Sequence, residues 1–535
     1  MTLAPVRRRT AEFSTWFGGQ QVALLLASWV ILAIHFRPGQ GVLLEEWDHA
    51  IRSFSWGFYT ALRHEILAWP ARPIHNIASV IGSIQGQTWG FHAMASLFAL
   101  AQFWLARWAV KPLIRFEWLV IALAFVISMS PWWQAGLLLR FLGAQQSLVA
   151  AIWWFGLTIR YALSGEKRLL LPMVIAMLLT ILSYQAPAGP MLIAACAMAG
   201  LSVLPRRRLI TIISVNFITV GVFFAWAIIL VPRLFPESYD FGGIGSNSMP
   251  QLTRVLLQTF AKQLPSLLIL MALLAACTLL LHQRSRITGW QFGILLISLA
   301  LAPLTALVFA GQVGWLQDQE RIAIPIGLSL WFTGTLLAGS TWGSQFDTPN
   351  LDAQDSLSSV SGRVAAAAIV AATLAGSFVN YQSISKYGNL QQGLLAELVP
   401  LLQDNDQLII VDPTGTFGRH YTFLGSINLL QSAVNLITPI DAQVEICSPQ
   451  TLLLEYPDLS TRPCESLVAD VQTEIIARPK VIGKQLEIHR ITSGCFAPRE
   501  SVLGFTYMFV DPADGTVWFD GQNVGGAPSI PPTCR

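Results

Sequence analysis

Three carboxylates stand within four residues in the run Leu43-Leu44-Glu45-Glu46-Trp47-Asp48-His49. Like charges crowded at a partly dehydrated surface repel one another, so at least one of Glu45, Glu46 and Asp48 is expected to hold its proton more tightly than usual, as a general base does. A solvated acidic loop is the bland reading of the same run. Five of the eight histidines, His35, His49, His64, His75 and His92, fall between residues 35 and 92. With the acids they form a ligand set for a divalent cation, Mg or Mn. No helical His-x-x-x-His spacing supports it, so interfacial histidines are the plainer reading and no metal ligand or cofactor is assigned. The cationic candidates are Arg72 in Ala71-Arg72-Pro73-Ile74-His75, Arg140, and Arg321, which follows Glu320 and precedes Pro325 by four residues. A guanidinium at the mouth of a membrane span can grip a phosphate bidentately while its stem follows the lipid boundary, and a simple interfacial anchor would look the same. The turn Ser183-Tyr184-Gln185-Ala186-Pro187 offers a phenol and an amide that could hydrogen-bond a sugar or phosphate, or only pack.

The elements that must position these residues are apolar. Of 535 residues, 53% are hydrophobic and 12% charged, about half the charge of a soluble domain. That composition excludes an ordinary cytosolic enzyme, and a net charge of +3 argues against a nucleic-acid partner. Eleven runs are long and apolar enough to be read as membrane spans, near 20–36, 88–106, 117–133, 147–163, 169–185, 188–204, 209–231, 266–282, 289–311, 321–339 and 364–380. The expected fold is a polytopic α-helical membrane domain over 1–380, with a long first outer loop at about 37–87. A soluble α/β or α+β domain is expected over 381–535. Up to Asn380 the chain holds 24 Lys and Arg against 14 Asp and Glu, and beyond it 9 against 16. Alternation from an inner N-terminus, marked by Arg7, Arg8 and Arg9, puts 15 of those 24 cations on inner loops, so the acidic tail emerges outside. Strands are expected at Gln407–Val411, Ala442–Cys447, Gln485–Ile491 and Val517–Phe519, helices at Leu390–Leu402 and Tyr421–Ala433, and a low-complexity linker near 344–361.

Cys196 and Cys277 fall in expected spans and read as small apolar residues. The other four, Cys447, Cys464, Cys495 and Cys534, all lie in the tail, where an oxidising compartment makes them disulfide candidates with pairing left open. A four-thiolate zinc site lacks any Cys-x-x-Cys spacing. The chain contains no GxxxxGK[ST], strand-placed GxGxxG, GxSxG or HExxH, so nucleotide hydrolysis, dinucleotide binding and the common hydrolase chemistries have no support.

Taken together, the acid pair Glu45-Glu46 opening a long outer loop, the Arg72-Pro73 element, the Tyr184-Gln185-Ala186 turn, and Arg321 before Pro325 resemble the GT-C glycosyltransferases. The serotype-converting glucosyltransferase type is the nearest in pattern. The resemblance covers roughly residues 1–340 and implies a hexosyl- or pentosyltransferase of a bacterial inner membrane. Its donor would be a polyprenyl-phosphate sugar and its acceptor a glycan or lipid-linked hydroxyl at the outer, periplasmic face. It implies a base among Glu45, Glu46 and Asp48 and a phosphate grip at Arg321, with Arg72 or Arg140 as alternatives. This chain has Glu at both positions where Asp is commoner, which leaves the identity of the base open. A lipid-linked sugar flippase or transporter, and a polysaccharide polymerase or ligase, share the same general pattern. Topology decides which face each candidate occupies. Reporter fusions after Gly165, Arg208 and Arg286 are expected to report cytoplasm, and fusions after Gly243 and Gly388 the outside. A cytoplasmic signal after Gly388 would contradict the assignment.

Overall fold

The computed structural model describes residues 4–36, 46–114, 116–129, 142–201, 206–235, 293–294, 297–298, 301, 319–342, 354–414, 416–417, 420–421, 429–440, 442–449, 462–464, 471–494, 508–510, 517–519 and 522–525. In chain order the helices are α1 (Ala4–His35), α2 (Glu46–Trp56), α3 (Phe58–Ala68), α4 (Ile77–Gly82), α5 (Trp89–Val110), α6 (Glu117–Met129), α7 (Leu142–Ser164), α8 (Leu170–Ser183), α9 (Ala188–Leu201), α10 (Arg206–Phe224), α11 (Gln319–Trp342), α12 (Gln354–Leu398) and α13 (Leu429–Ile437). Nine of the eleven apolar runs fall on these helices. The run at 266–282 lies outside the described residues, as does nearly all of 289–311.

Three helices among the described residues are long and apolar enough to cross a membrane: Trp89–Val110, Leu142–Ser164 and Arg206–Leu234. The last passes through a π-helical turn at Ala225–Leu230. Shorter apolar helices cover Gly19–His35, Glu117–Met129, Ala188–Met198, Ile324–Gly339 and Gly362–Phe378. The run across Pro187 and Pro190 is two helices, because Tyr184 is extended (φ −162°, ψ 129°) and ends α8 before the prolines can continue it. The segment read as a linker near 344–361 is helical from Gln354 onward, continuous with the Ala-rich stretch at 365–372 that favours a helix.

The chain forms two compact units. The first comprises 1–36, 70–75 and 94–380. Its core joins Phe103, Trp154, Phe155, Trp331 and Phe332, with Phe155 and Phe332 4.6 Å apart. Several polar atoms in that core find partners, as a water-free interior favours: Trp154 Nε1 donates to Asn216 Oδ1 at 2.9 Å, Trp331 Nε1 to the Leu123 carbonyl at 2.9 Å, and Gln102 Nε2 to Gln145 Oε1 at 2.6 Å.

The second unit comprises 37–69, 76–93 and 381–535, so most of the loop at about 37–87 belongs with the tail. A five-stranded sheet is built from β1 (Asp406–Val411), β2 (Ala442–Ser448), β3 (Arg462–Pro463), β4 (Gln472–Ala477) and β5 (Glu487–Ser493), in the order β3-β2-β1-β5-β4. β1 runs parallel to β2 and antiparallel to β5. Central β1 is buried along Gln407–Ile410, which is why it reads as a continuous apolar run rather than an alternation. Cys447 and Cys464 form a disulfide between β2 and the end of β3, while Cys495 and Cys534 lie outside the described residues. Tyr421, placed on a helix by its sequence, instead pairs with Thr416 in a short hairpin, and the helix begins at Leu429.

The loop docks on the tail through α2. Trp47 Nε1 donates to Gln391 Oε1 at 3.3 Å, and α2 packs along α13. Gly86 is obligatory at this junction. Its φ of +73° disfavours any side chain, and a Cβ there would stand 2.9 Å from Leu436 Cδ1 and 3.1 Å from Phe54 Cβ. At the end of β1, Lys484 Nζ contacts Asp412 Oδ2 at 2.6 Å with both side chains buried. Burial pulls the Lys484 ammonium below its ordinary range, and the Asp412 carboxylate opposes that. Removing one partner leaves the other charge buried alone, so Lys484→Met is expected to destabilise this unit by about 3–5 kcal/mol. Faster hydrogen exchange of the β1 amides measures this, and the Lys484→Met/Asp412→Leu pair should recover most of the loss.

Candidate functional site

Two clusters hold the candidate residues, one in each unit. In the helical unit the segment Pro70–His75 forms a turn in which the His75 amide donates to the Arg72 carbonyl at 2.9 Å. It is fixed from three sides. Trp226, on the π-helical turn, donates its indole N–H to the Pro70 carbonyl at 3.3 Å. His75 Nδ1 donates to the Ser183 carbonyl at 2.6 Å, and its ring stacks on Tyr184 at 5.5 Å and 14°. Gly143, in the first turn of α7, lies so close to His75 that a Cβ would overlap the His75 carbonyl and ring. The fold thereby brings the Arg72 turn and the Tyr184-Gln185 turn together. Arg72, His75 and Gln185 are 9%, 7% and 7% exposed, and the Gln185 side-chain oxygen is buried without a hydrogen-bond partner. A guanidinium and an amide buried in a helical core can bind an anionic or hydroxyl-bearing group by charge-assisted contacts that water would weaken elsewhere.

Beside it, an open apolar cleft of about 230 Å³ is lined by Leu105, Val149, Ala150, Trp153 and Leu179, with Gln146 and Ser183 as its polar members. Ser183 is thus shared: its carbonyl orients His75 and it borders the cleft.

The second cluster lies in the loop-and-tail unit. Glu46 is the first residue of α2 and 1% exposed, at a helix end whose free backbone N–H groups favour negative charge. Asp48 shares that helix, and for it the structure describes the backbone. The centre of the cluster is Glu65 on α3, whose importance its place in the sequence does not reveal. Its Oε1 accepts from Arg52 at 2.8 Å and faces His49 Nδ1 at 3.2 Å and His64 Nδ1 at 4.0 Å, while its Oε2 accepts from Asn76 at 2.6 Å. The one sequence signal was the histidine clustering, and spacing alone did not connect Arg52 with Glu65. Burial alone would raise the Glu65 pKa, but His49, Arg52 and His64 outweigh it and hold the carboxyl well below the usual range. Burial and the Arg52 charge push His64 down to about 4, so its imidazole is neutral at neutral pH. The trio does not fit a divalent cation, because the Arg52 guanidinium occupies the carboxylate oxygen that both histidines face. Among the described residues no group of three or more His, Cys, Asp or Glu is arranged to hold a metal.

The other candidates are separate. Glu320 and Arg321 sit in the first turn of α11, where the structure describes the helical backbone. Glu45 and Arg140 lie outside the described residues.

No protein-family model matches the chain, and no curated protein sequence matches it. Among solved structures the fold is similar to ArnT from Cupriavidus metallidurans. The apo form superposes with a TM-score of 0.45 at 12% identity, covering 88% of this chain and 98% of that one. The form bound to undecaprenyl phosphate gives 0.43 at 10%, covering 90% and 99%. Superposition this loose assigns no role to any residue here.

Glu65 and His64 give the same sign with pH. His64 is held neutral, so its protonation opposes the fold as pH falls below about 6.5, its ordinary value. Glu65 is held ionised, and its contribution is lost as pH falls through the carboxylate range and below. Protection factors across α2 and α3, taken relative to the intrinsic exchange that itself slows as pH falls, are expected to drop from about pH 6.5 downward. In a His64→Phe variant the onset should move to the carboxylate range. An unchanged onset would remove His64 from the account.

Proposed function

We propose that this protein is a membrane glycosyltransferase of the GT-C kind, which moves a monosaccharide from a polyprenyl-phosphate carrier to an acceptor hydroxyl of a cell-envelope glycan or glycolipid. In this proposal it is a multi-pass protein of a bacterial inner membrane, with about eleven spans, the N-terminus in the cytoplasm and the 381–535 domain outside. The observation that carries it is the buried Arg72 turn, clamped by Trp226, Gly143 and the Ser183 carbonyl and set beside the Tyr184-Gln185 turn. A buried cation on a turn held this firmly suits an anion more than a neutral solute. The resemblance of Glu45-Glu46, Arg72-Pro73, Tyr184-Gln185-Ala186 and Arg321 to the family pattern supplies the reaction, and ArnT, the similar structure, was solved with undecaprenyl phosphate bound.

The chemistry divides into two demands. The acceptor oxygen must lose a proton as it forms its bond to the anomeric carbon, and an acid of the first loop takes that proton, with Glu46 or Glu45 as the base and Asp48 tuning them. The bond from the anomeric carbon to the phosphate oxygen breaks with its electron pair going to the phosphate. Arginine, at Arg72 or Arg321, stabilises that growing charge more than it stabilises the intact donor.

Complementation of a deletion strain, read by glycan analysis, tests the proposal. Glu46→Gln is expected to abolish or strongly reduce glycan modification at normal abundance, because the amide keeps the size but accepts no proton. Arg72→Lys keeps the charge and loses the planar fork, at roughly 1.5–3 kcal/mol or about ten- to a hundredfold in catalytic efficiency. Unaltered glycans in the deletion strain would overturn the proposal. A glycan defect that a Glu45→Gln/Glu46→Gln/Asp48→Asn variant fully restores would turn it toward a flippase, which needs no base.

A further inference from the structure

Within the loop-and-tail unit, three elements converge on Gly86 and leave large apolar side chains uncovered. Phe54 on α2 is 61% exposed, Ile84 in the turn before Gly86 is 43%, and Ile437 at the end of α13 is 49%. Phe54 and Leu436 both crowd the space a Gly86 side chain would need, so Phe54 and the end of α13 meet at Gly86, two residues from Ile84 and one from Ile437 along the chain. The three exposed residues carry no charge, and one comes from the tail domain far along the chain.

We propose that this patch is a membrane-contact surface that dips into the boundary between headgroups and acyl chains of the outer leaflet. The occupant follows from chain continuity. Ile84 precedes Trp89 by five residues, part of them in a 3-10 turn, which is well under the roughly 17 Å an extended stretch would reach. Trp89 opens α5, one of the helices able to cross a membrane, and is itself 51% exposed. Leu97 and Trp104 continue its exposed stripe at 56% and 44%, within one face of about 80°. A tryptophan at the start of a span is characteristic of the membrane–water interface. The patch is therefore tethered to the depth at which exposed apolar groups are stabilised by lipid. A second copy of the chain is a poorer occupant, because three half-exposed side chains offer roughly 300 Å², well short of the about 800 Å² per partner of a stable interface.

This surface depends on the spans, and not on the transferase proposal, yet it has a consequence for it. Phe54 follows Glu46 by eight residues on α2, about 12 Å along the helix axis. Seating Phe54 in the leaflet fixes the height of Glu46 above the bilayer.

Nitroxide labels at single cysteines in the full-length chain test the inference without any activity assay. The variants are Phe54→Cys, Ile84→Cys and Ile437→Cys, with Lys480→Cys on an exposed strand of the same unit as the aqueous control. The protein is reconstituted in phosphatidylcholine vesicles, with the unsubstituted chain labelled in parallel as background. Relaxation by oxygen, which partitions into lipid, is compared with relaxation by a water-soluble nickel chelate. The three patch labels are expected to show a several-fold excess of oxygen over nickel relaxation, and position 480 the reverse. Nickel-dominated relaxation at the patch would overturn the inference. Protection from both reagents would also overturn it, showing that protein rather than lipid covers the surface. Three independent positions keep the test decisive if one variant fails to fold.

Discussion

The hydrogen bond from His75 Nδ1 to the Ser183 carbonyl holds a piece of the loop at about 37–87 inside a bundle of apolar helices. Much else depends on it. Six residues of a long polar loop, Pro70–His75, are withdrawn into the helical unit while the rest of that loop belongs to the other unit. Such a segment brings backbone N–H and C=O groups and an arginine into a place without water, so each group needs a partner. The indole of Trp226, the Ser183 carbonyl and the turn's own His75–Arg72 bond supply several of these. Gly143 allows the approach, since any side chain there would strike the histidine. Ser183 is available because α8 ends at the extended Tyr184, and α8 ends there because two prolines follow.

The rest of the loop is organised by a different constraint, a buried carboxylate. Glu65 gathers Arg52 from α2, Asn76 from the start of α4 and the two histidines, so one charge ties together three short helices that would be marginal alone. Those helices in turn pack on the tail through Trp47 and the Gly86 junction. The acids at the start of α2 are thus set by a folded support rather than by a free loop. This is how a loop residue can be positioned well enough for proton transfer.

Much of this was legible in the sequence. Hydropathy located the helices, because apolar length is a direct requirement of crossing hydrocarbon. The strand at Gln407–Val411 was legible because the apolar run Leu408–Val411 suits a buried strand, and its partner at Ala442–Cys447 because Ala442, Val444 and Ile446 alternate with Gln443 and Glu445. The grouping of Arg72 with Tyr184 and Gln185 was suggested by motif likeness, but the geometry joining them, through His75 and Gly143, was not. No local pattern records a contact between residues over a hundred positions apart. Glu65 went unrecognised because its charge looks like any other on an amphipathic helix, and its role arises only when Arg52 folds back on it. Tyr421 was placed on a helix because periodicity in a short window does not separate a hairpin from a helix start.

The central claim is that this protein breaks a bond between a sugar and a lipid phosphate, rather than carrying the intact molecule. The most direct measurement places the purified full-length protein in vesicles with a polyprenyl-phosphate monosaccharide, radiolabelled in the sugar, and an extract of envelope glycans as acceptor. Free polyprenyl phosphate and labelled acceptor are expected to appear together in equal amounts and to depend on the protein. Movement of the intact labelled lipid between leaflets, with no polyprenyl phosphate released, would contradict the account.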